Sequence, residues 1–345
     1  MFNSPGRANL VIDGQFGSTG KGLICGYLAL QSPPDIAVSC ASANAGHTCI
    51  TPDNGAASGR KIVANHLPIS GILTPSAQIY LGAGAILDPK ILMKEVFEYL
   101  DDEDRLAIHP RACIIEAIDV QAGQHPDSQS TKIAGTQHGV SQALARKVLR
   151  KATLAADCPE LKKFIKVIDL NQKMEAGASV MLEVAQGLGL GLNSGYAYPY
   201  CTSREVSVSA ALSDAQIHPS FLGNVMMTMR TYPIRVGNIY GEGRMKGWSG
   251  PFYPDSVETS WEDIGVPIEK TTVTQRVRRV ATFSLEQYSA SLASIRPTHI
   301  FLNFMNYLKF GPNGMEQTAV IDRLMALRKP THLGWGPTTK DIEEI

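Results

Sequence analysis

Short apolar runs alternate with amphipathic segments along this chain of 345 residues. Apolar runs bounded by glycine, proline or polar residues are typical of buried strands, whereas apolar residues at every third or fourth position predict helices. The pattern predicts strands at 9–13, 36–41, 78–82, 112–118, 179–184 and 298–304. It predicts helices at 21–31, 89–100, 139–152, 158–174, 284–294 and 314–328. This alternation predicts an α/β fold with a mostly parallel central sheet and flanking helices.

The same pattern runs through the whole chain, and we find no internal repeat and no low-complexity linker. Length alone favours about two domains, but the continuous alternation predicts a single domain over residues 1–345. The stretch 231–262, rich in glycine and aromatic residues, is interpreted as a lid or insertion within that domain.

Composition excludes several classes of partner. The chain has 32 Lys and Arg against 32 Asp and Glu, which argues against a nucleic-acid polymer, although a local cationic pocket is enough for a phosphorylated monomer. Its six cysteines form no C-x-x-C pair and are typical of reduced thiols in a reducing compartment. No apolar stretch approaches the ~18 residues of a membrane span and no charged-then-apolar leader opens the chain. We expect a cytoplasmic protein with no membrane partner.

The glycine-rich segment "GQFGSTGKG" (14–22) connects the first predicted strand to the first predicted helix. Such a turn presents backbone N–H groups and the positive end of the helix dipole to a phosphate, and Lys21 adds a charge. It departs from the common phosphate loop, because five residues separate Gly14 from Gly20 and Gly22 follows the lysine. The alternative is a tight turn whose glycines only permit close packing.

Further polar motifs follow predicted strands or lie in loops. Taken alone, a histidine such as His47 is more often a hydrogen-bonded loop residue than a catalyst, and the basic residues at 146–151 are also consistent with a solvated helix face. The arginines within 271–279 lie among hydroxyl residues with no acidic residue, which predicts a carboxylate or phosphate partner. Gln186 stands at the end of a predicted strand, where a side chain is well placed to contact a ligand. The motifs are "NAGHT" (44–48), "GTQHG" (135–139), "EVAQG" (183–187), "YPYCTS" (198–203) and "TTVTQRVRR" (271–279).

The order of these motifs resembles the running signature of the adenylosuccinate synthetase family. That signature reads G-Q-W-G-D-E-G-K-G, N-A-G-H-T, H-L-x-P-S-G-I-L, G-T-T-G-R-G, E-G-A-Q-G, Y-P-Y-V-T-S and T-T-G-R-x-R-R. The resemblance extends from about residue 9 to 338 and includes "HLPISGIL" (66–73) and "YPIRVGN" (232–238). It implies an adenylosuccinate-synthetase-like P-loop fold and a carbon–nitrogen ligase. The family joins aspartate to the 6-position of IMP after GTP phosphorylates the 6-oxygen.

The resemblance also implies site residues, position by position. His47 would be the acid that activates the 6-oxygen, and the other catalytic residues would be Lys21, Gln186 and Ser18. The nucleotide donor would contact Ser18, Thr19, Gly20, Lys21, Gly22, Asn303, Asn306 and Gly336. The acceptor nucleotide would contact Ser18, Asn44, Thr136, Gln137, Gln186, Thr202 and, from the second subunit of a homodimer, Arg150. Aspartate would contact Thr274, Gln275, Arg276 and Arg278. A Mg²⁺ cofactor would lie against the Gly46 carbonyl and Ser18.

The sequence departs from the family pattern at three places. Ser18 and Thr19 replace an Asp-Glu pair, which removes the carboxylate that takes the ring proton of the base. Serine is a poor base, so substrate, water or Asp13 remain as alternatives for that role. "GTQHG" is one residue shorter than the corresponding family loop and lacks its arginine. "NFMN" (303–306) stands where the family has T-K-L-D, which contacts the guanine of GTP.

These departures resemble the bacteriophage branch of the family, which adds aspartate to dGMP on the way to 2-aminoadenine. The leading hypothesis is ligation of L-aspartate to the 6-position of dGMP, with ATP or dATP as donor, in the host cytoplasm if the chain is phage-encoded. One alternative is a conventional synthetase acting on IMP with GTP or ATP. Others are a non-catalytic nucleotide-binding module and a decayed paralogue, against which the retained His47, Gln186 and arginines argue.

Overall fold

The computed structural model describes residues 2–52, 59–271, 274–309 and 314–345, with the side chains of residues 309 and 314–317 not described. The strands are β1 (Ala8–Asp13), β2 (Ile36–Ser39), β3 (His47–Thr51), β4 (Arg60–Ala64), β5 (Gln78–Leu81), β6 (Ile86–Leu87), β7 (Leu106–Ile108), β8 (Cys113–Ile114), β9 (Val180–Glu183), β10 (Leu222–Arg230), β11 (Ile234–Arg235), β12 (Ile239–Gly241), β13 (Arg244–Gly247), β14 (Glu258–Thr259), β15 (Arg279–Ala281), β16 (His299–Asn303), β17 (His332–Gly334) and β18 (Ile342–Glu344).

The helices lie on both faces of the central sheet or cover its ends. They are α1 (Lys21–Gln31), α2 (Ile69–Leu73), α3 (Pro89–Tyr99), α4 (Ala117–Gln124), α5 (Gln129–Lys132), α6 (Val140–Val148), α7 (Leu170–Glu175), α8 (Val208–Asp214), α9 (Trp261–Ile264), α10 (Leu285–Ile295) and α11 (Gly314–Leu327). No helix in the described ranges has the length and apolar content to cross a membrane.

Within the described residues, nine strands form the central sheet in the order β18-β17-β16-β10-β1-β9-β2-β5-β7. Every neighbouring pair in it is parallel except β17 with β18. Alternate side chains of β1 reach opposite faces: Val11 packs with Ile24 and Leu28 of α1, whereas Ile12 packs with Tyr288 of α10. A parallel sheet covered on both faces buries its strands completely, and the predicted α/β architecture is confirmed.

Several predicted elements are wrong in extent. The segment 158–174 forms a 3₁₀ turn at Pro159–Phe164, and α7 begins only at Leu170. Between them the backbone is extended, because the Lys166 N–H donates to the Ile108 carbonyl at the edge of the sheet. The predicted strand 112–118 ends at Ile114, since a capping box at residue 116 starts α4. The predicted helix 139–152 ends at Val148, and β10 was not predicted at all.

The stretch 231–262, interpreted as a lid or insertion, contains short strands and α9. Two of them, β11 and β14, pair with β15 in a small antiparallel sheet, which packs around Tyr232, Trp261 and Val280. The stretch is therefore joined to residues 279–281, and its role as a lid stays a prediction, as does the single-domain organisation.

Polar residues end several strands at the same edge of the sheet. Asp13 ends β1, Glu183 ends β9, Arg230 ends β10 and Asn303 ends β16. Arg230 lies opposite Asn303 in the strand register, and all four side chains belong to buried residues. The carboxyl edge of an open parallel sheet is where such folds bind ligands, so the candidate site lies at this edge.

Candidate active site

The phosphate loop, residues 14–22, connects β1 to α1. Gly20 precedes the helix with φ of 89°, a left-handed conformation that glycine adopts without strain. A Cβ on Gly22 would lie 2.6 Å from the backbone oxygen of Thr48 in β3. This close approach explains why glycine follows Lys21, where the common phosphate loop has Ser or Thr.

The buried carboxylate of Asp13 holds the phosphate loop through hydrogen bonds to its backbone and side chains. Asp13 Oδ2 accepts hydrogen bonds from Lys21 Nζ at 3.0 Å and from Thr19 Oγ1 at 2.6 Å. Its Oδ1 accepts from the backbone N–H groups of Gln15 and Gly17, at 2.7 and 3.3 Å. Four donors and complete burial argue against Asp13 as the group that takes a substrate proton. Thr19, predicted to bind the donor, has its hydroxyl turned towards Asp13.

Two cavities adjoin the loop and share its lysine. The large cavity, of about 520 Å³, is lined among others by Gly20, Gly22, Glu269, Asn303, Phe304, Asn306, Tyr307 and Gly336. The small cavity, of about 110 Å³, is lined among others by Asn44, Thr136, Gln186 and Thr271. Five residues line both: Ser18, Lys21, Gly46, His47 and Arg278. Such a shared wall is suited to passing a group from one bound molecule to another.

His47 lies at the start of β3 with its two ring nitrogens in different surroundings. Its Nδ1 is 3.9 Å from Glu183 Oε2. Among the described residues its Nε2 is buried without a hydrogen-bond partner. Glu183 is fixed in turn by the N–H groups of Ile69 and Ser70, at 3.1 and 2.7 Å, and by the Ser70 hydroxyl at 2.7 Å. A carboxylate on one side and a free nitrogen on the other suit a proton donor.

Two arginines hold Ser18, which has a left-handed φ of 56°. Arg278 Nη1 donates to its hydroxyl oxygen at 2.9 Å, and Arg230 Nη1 donates to its carbonyl at 3.1 Å. The Arg230 guanidinium also donates to both oxygens of Glu269, at 2.6 and 3.2 Å, and lies 3.9 Å from the centroid of the Phe304 ring. Burial lowers the pKa of Arg278 to about 10, so it is cationic at neutral pH.

Glu269 remains ionised despite its burial. Burial raises the pKa of this carboxyl, but the Arg230 guanidinium, together with Arg278 and the Tyr307 hydroxyl, outweighs that effect, and the pKa lies below its ordinary value. The Tyr307 hydroxyl donates to it at 3.0 Å, and Arg278 Nε lies 3.9 Å away. The carboxylate therefore offsets one of the two arginine charges beside the large cavity and leaves a net positive charge there.

The predicted aspartate-binding residues lie directly before β15, the central strand of the small antiparallel sheet. Arg276 donates to the carbonyls of Ala134 and Gly135, at 2.9 and 2.7 Å, and to the Thr274 hydroxyl at 3.0 Å. Its Nη1 is buried and has no partner in the described part of the chain, which leaves the two N–H donors of that nitrogen for a carboxylate. Gln275 is exposed. Residues 272 and 273 of this motif lie outside the described residues.

The predicted acceptor residues divide into two groups. Asn44, Thr136 and Gln186 line the small cavity, and Thr202 lines a narrow cleft that shares Asn44 and Gln186 with it. Gln137 instead donates its amide to the Thr131 hydroxyl at 2.6 Å, and Arg150 is exposed on the turn after α6. Neither lines a cavity described here.

Three contacts of the site were not predicted from the sequence. They are the hydrogen bond from Lys21 to Asp13, the contact of Glu183 with His47, and the ion pair of Arg230 with Glu269. Their only signal is the placement of charged residues directly after apolar runs, as in "VMMTMR" (225–230). That signal does not say which residues meet.

Comparisons with known proteins agree with the geometry. A family model for adenylosuccinate synthetase matches residues 10–169 and 159–311. The chain is 37% identical to N6-succino-2-amino-2'-deoxyadenylate synthase of Salmonella phage PMBT28, over 99% of this chain and 98% of the relative. It is 34% identical to the cyanophage S-2L protein of the same name, over 97% and 92%. Adenylosuccinate synthetase of Pyrococcus horikoshii is 33% identical, over 82% and 80%.

Solved structures give the same result. The succinoaminodeoxyadenylate synthetase of cyanophage S-2L, bound to dGMP and to dATP as an energy donor, superposes with a TM-score of 0.85 at 32% identity, over 98% of this chain and 95% of that one. The fully ligated adenylosuccinate synthetase of Plasmodium falciparum, at 18% identity over 99% and 100%, has a TM-score of 0.76 and supports the fold alone.

The fold and its paired cavities define a nucleotide-dependent carbon–nitrogen ligase. The chain belongs to the adenylosuccinate synthetase family. The predicted family resemblance, including its bacteriophage branch, is confirmed.

Proposed function

We propose that the protein ligates L-aspartate to the 6-position of dGMP, with ATP or dATP as donor, for the synthesis of 2-aminoadenine DNA. The products are 2-amino-2'-deoxy-N6-succinyladenylate, the nucleoside diphosphate and phosphate. One observation carries the proposal: five residues line both cavities, and Ser18 is one of them. The phage relatives, which match over nearly the whole chain, support the choice of substrate.

The two cavities suggest how the reaction proceeds. The donor triphosphate binds in the large cavity with its phosphates against the phosphate loop and Lys21, and dGMP binds in the small one. The 6-oxygen bonds to the terminal phosphorus as the bond from that phosphorus to the leaving diphosphate breaks, and the ring N1 proton passes to substrate or water. His47, acting as the acid, directs its Nε2–H group to the 6-oxygen, and Arg278 offsets the negative charge that develops. The aspartate amine then forms a bond to C6 as the C6–O bond breaks and phosphate leaves. Such transfers depend mostly on positioning and charge neutralisation.

We propose Mg²⁺ as cofactor, which would supply charge neutralisation on the donor phosphates. In phosphotransfer sites this ion takes few ligands from protein and most from phosphates and water. The described residues hold no group of three or more His, Cys, Asp or Glu that could bind a metal. The Gly46 carbonyl and the Ser18 hydroxyl fit the small share that protein must supply, since both residues line the two cavities.

We also propose a homodimer that shares Arg150 between subunits. In the described residues Arg150 lies far along the chain from the loop and is exposed after α6. Large apolar side chains are exposed nearby in sequence, with Val148 at 68% and Leu149 at 63%. Exposed apolar side chains beside a basic residue favour an interface over a solvated helix face.

A substrate panel tests the assignment. A site that pairs the 2-amino group of guanine should disfavour IMP and dIMP by roughly 5- to 150-fold, because an unmade buried hydrogen bond costs about 1–3 kcal/mol. We expect dGMP to have the highest kcat/KM among dGMP, GMP, dIMP and IMP at saturating aspartate and ATP. The Ser18→Asp variant should lose dGMP activity, because the larger side chain fills the space beside the ring. A higher value for IMP than for dGMP would overturn the substrate, and an unchanged dGMP rate in the variant would overturn the role of Ser18.

ATP should be a better donor than GTP by about tenfold or more in kcat/KM. A guanine ring edge presents paired N–H donors, which a carboxylate accepts, and Asn306 in the large cavity offers one oxygen and adds N–H donors. Loss of a charge-assisted hydrogen bond costs about 1.5–3 kcal/mol. Phe304 stacks on any purine and does not discriminate. Steady-state rates with each donor at saturating dGMP and aspartate measure this, and GTP winning by an order of magnitude would contradict it.

A further inference from the structure

The lysine of the phosphate loop is paired with a buried carboxylate at the end of β1. Its ammonium lies 3.0 Å from Asp13 Oδ2, with the lysine side chain 5% exposed and the aspartate fully buried. The same lysine lines both cavities. An ammonium has three N–H donors in total; within the described ranges one is directed to Asp13, and the other two are open to ligands.

The surroundings fix the carboxylate rather than leave it free to move. Thr19 donates to the oxygen that holds Lys21, and the Thr19 hydroxyl lies 2.6 Å from the Thr228 hydroxyl of β10. The other oxygen accepts two backbone N–H groups of the loop. Asp13 therefore lies at a fixed place between the sheet and the loop, and the position of Lys21 follows from it.

We infer that Asp13 is a positioning residue for the proposed phosphoryl transfer, which sets both the direction and the effective charge of Lys21. This inference rests on the proposed function. A buried anion this close to the ammonium opposes the attraction between Lys21 and a polyphosphate, because Coulomb interactions are weakly screened in a buried site. The pair thus orients the donor without holding the product diphosphate tightly.

The Asp13→Asn variant separates this role from simple support of the loop. The amide oxygen of asparagine still accepts the two backbone N–H groups, but the negative charge is lost. We expect ADP, titrated alone by calorimetry, to bind roughly 5- to 20-fold more tightly, while kcat falls at least about tenfold because Lys21 loses its anchor. Loss of support alone would weaken ADP binding. The control is Thr228→Val, which alters the same cluster without changing charge and should leave the ADP Kd within about twofold.

A second pair of variants keeps the inference testable if Asp13→Asn does not fold. Lys21→Ala leaves Asp13 as an unpaired buried anion, whereas Lys21→Ala with Asp13→Asn removes the whole pair, which proteins tolerate better. The double variant should bind ADP more tightly than the single one by about tenfold. An equal or weaker ADP affinity in the member of either pair that carries Asp13→Asn overturns the inference. Failure of the unaltered protein to bind ADP or ATP at all would overturn the proposed function instead.

Discussion

Replacing His47 with alanine should lower kcat by roughly 100- to 10,000-fold, the usual range for loss of a general acid, with little change in KM for either nucleotide. The reason is geometric: Nε2 is buried without a partner among the described residues, and His47 lines both cavities. Steady-state kinetics with dGMP, aspartate and ATP give kcat and KM. The exposed His125 provides a control, since His125→Ala should leave kcat unchanged.

The Glu183→Gln variant tests how His47 is held. Glutamine keeps the shape of the side chain but presents a neutral group 3.9 Å from Nδ1, so we expect a loss of kcat smaller than that of His47→Ala. Thermal unfolding must accompany the measurement, because Glu183 also binds the backbone of α2.

A His47→Ala enzyme that keeps more than a tenth of the unaltered kcat would show that another group supplies the proton.

Mixing two inactive variants should restore activity if the sites are shared. Arg150→Ala and Lys21→Ala should each lose at least about 100-fold in kcat, as expected for charges on transferred or bound phosphates. In a symmetric dimer each heterodimer carries one site with both residues intact. An equimolar, fully exchanged mixture should therefore recover about one quarter of the unaltered activity.

Subunit exchange must be demonstrated in the same mixture, for example by native mass spectrometry of subunits with different tags. Lys151→Ala is the matched control, because Lys151 is exposed on the same turn and is not a predicted ligand. That variant should be active on its own. If heterodimers form and the mixture stays inactive, Arg150 does not act across subunits.

The sheet could be predicted because its strands are short, continuous apolar runs, and local sequence determines where such runs occur. The segment 158–174 has helical spacing of apolar residues, but Lys166 bonds to the edge of the sheet instead, a choice that depends on a partner far along the chain. The run preceding Arg230 carries a weak strand signal, because its methionines are not among the residues enriched in strands and only Val225 and Thr228 are.

Some residues of the candidate site could also be predicted from local sequence, whereas others depend on partners far along the chain. His47, Lys21 and Gln186 lie in compact motifs whose order carries the family resemblance, so their residues could be named from the sequence. The contact of Arg230 with the Ser18 carbonyl joins residues 212 positions apart, and no local pattern encodes it. The spacing of residues along the sequence does not show which way the Asp13 side chain points. A strand-end aspartate could face a ligand, but in the structure Asp13 is buried and binds Lys21.

The phosphate loop stands near the start of the chain, yet two of its supports, Arg230 and Asn303, are translated much later. The Asn303 side chain donates to the Thr19 carbonyl at 2.7 Å, a contact that spans 284 residues. Contacts of such high contact order form late, because the intervening chain must first be closed into a large loop. A nascent chain on the ribosome consequently exposes a glycine-rich loop that cannot yet hold a nucleotide, and ligand binding can stabilise the protein only after β16 has left the exit tunnel and joined the sheet.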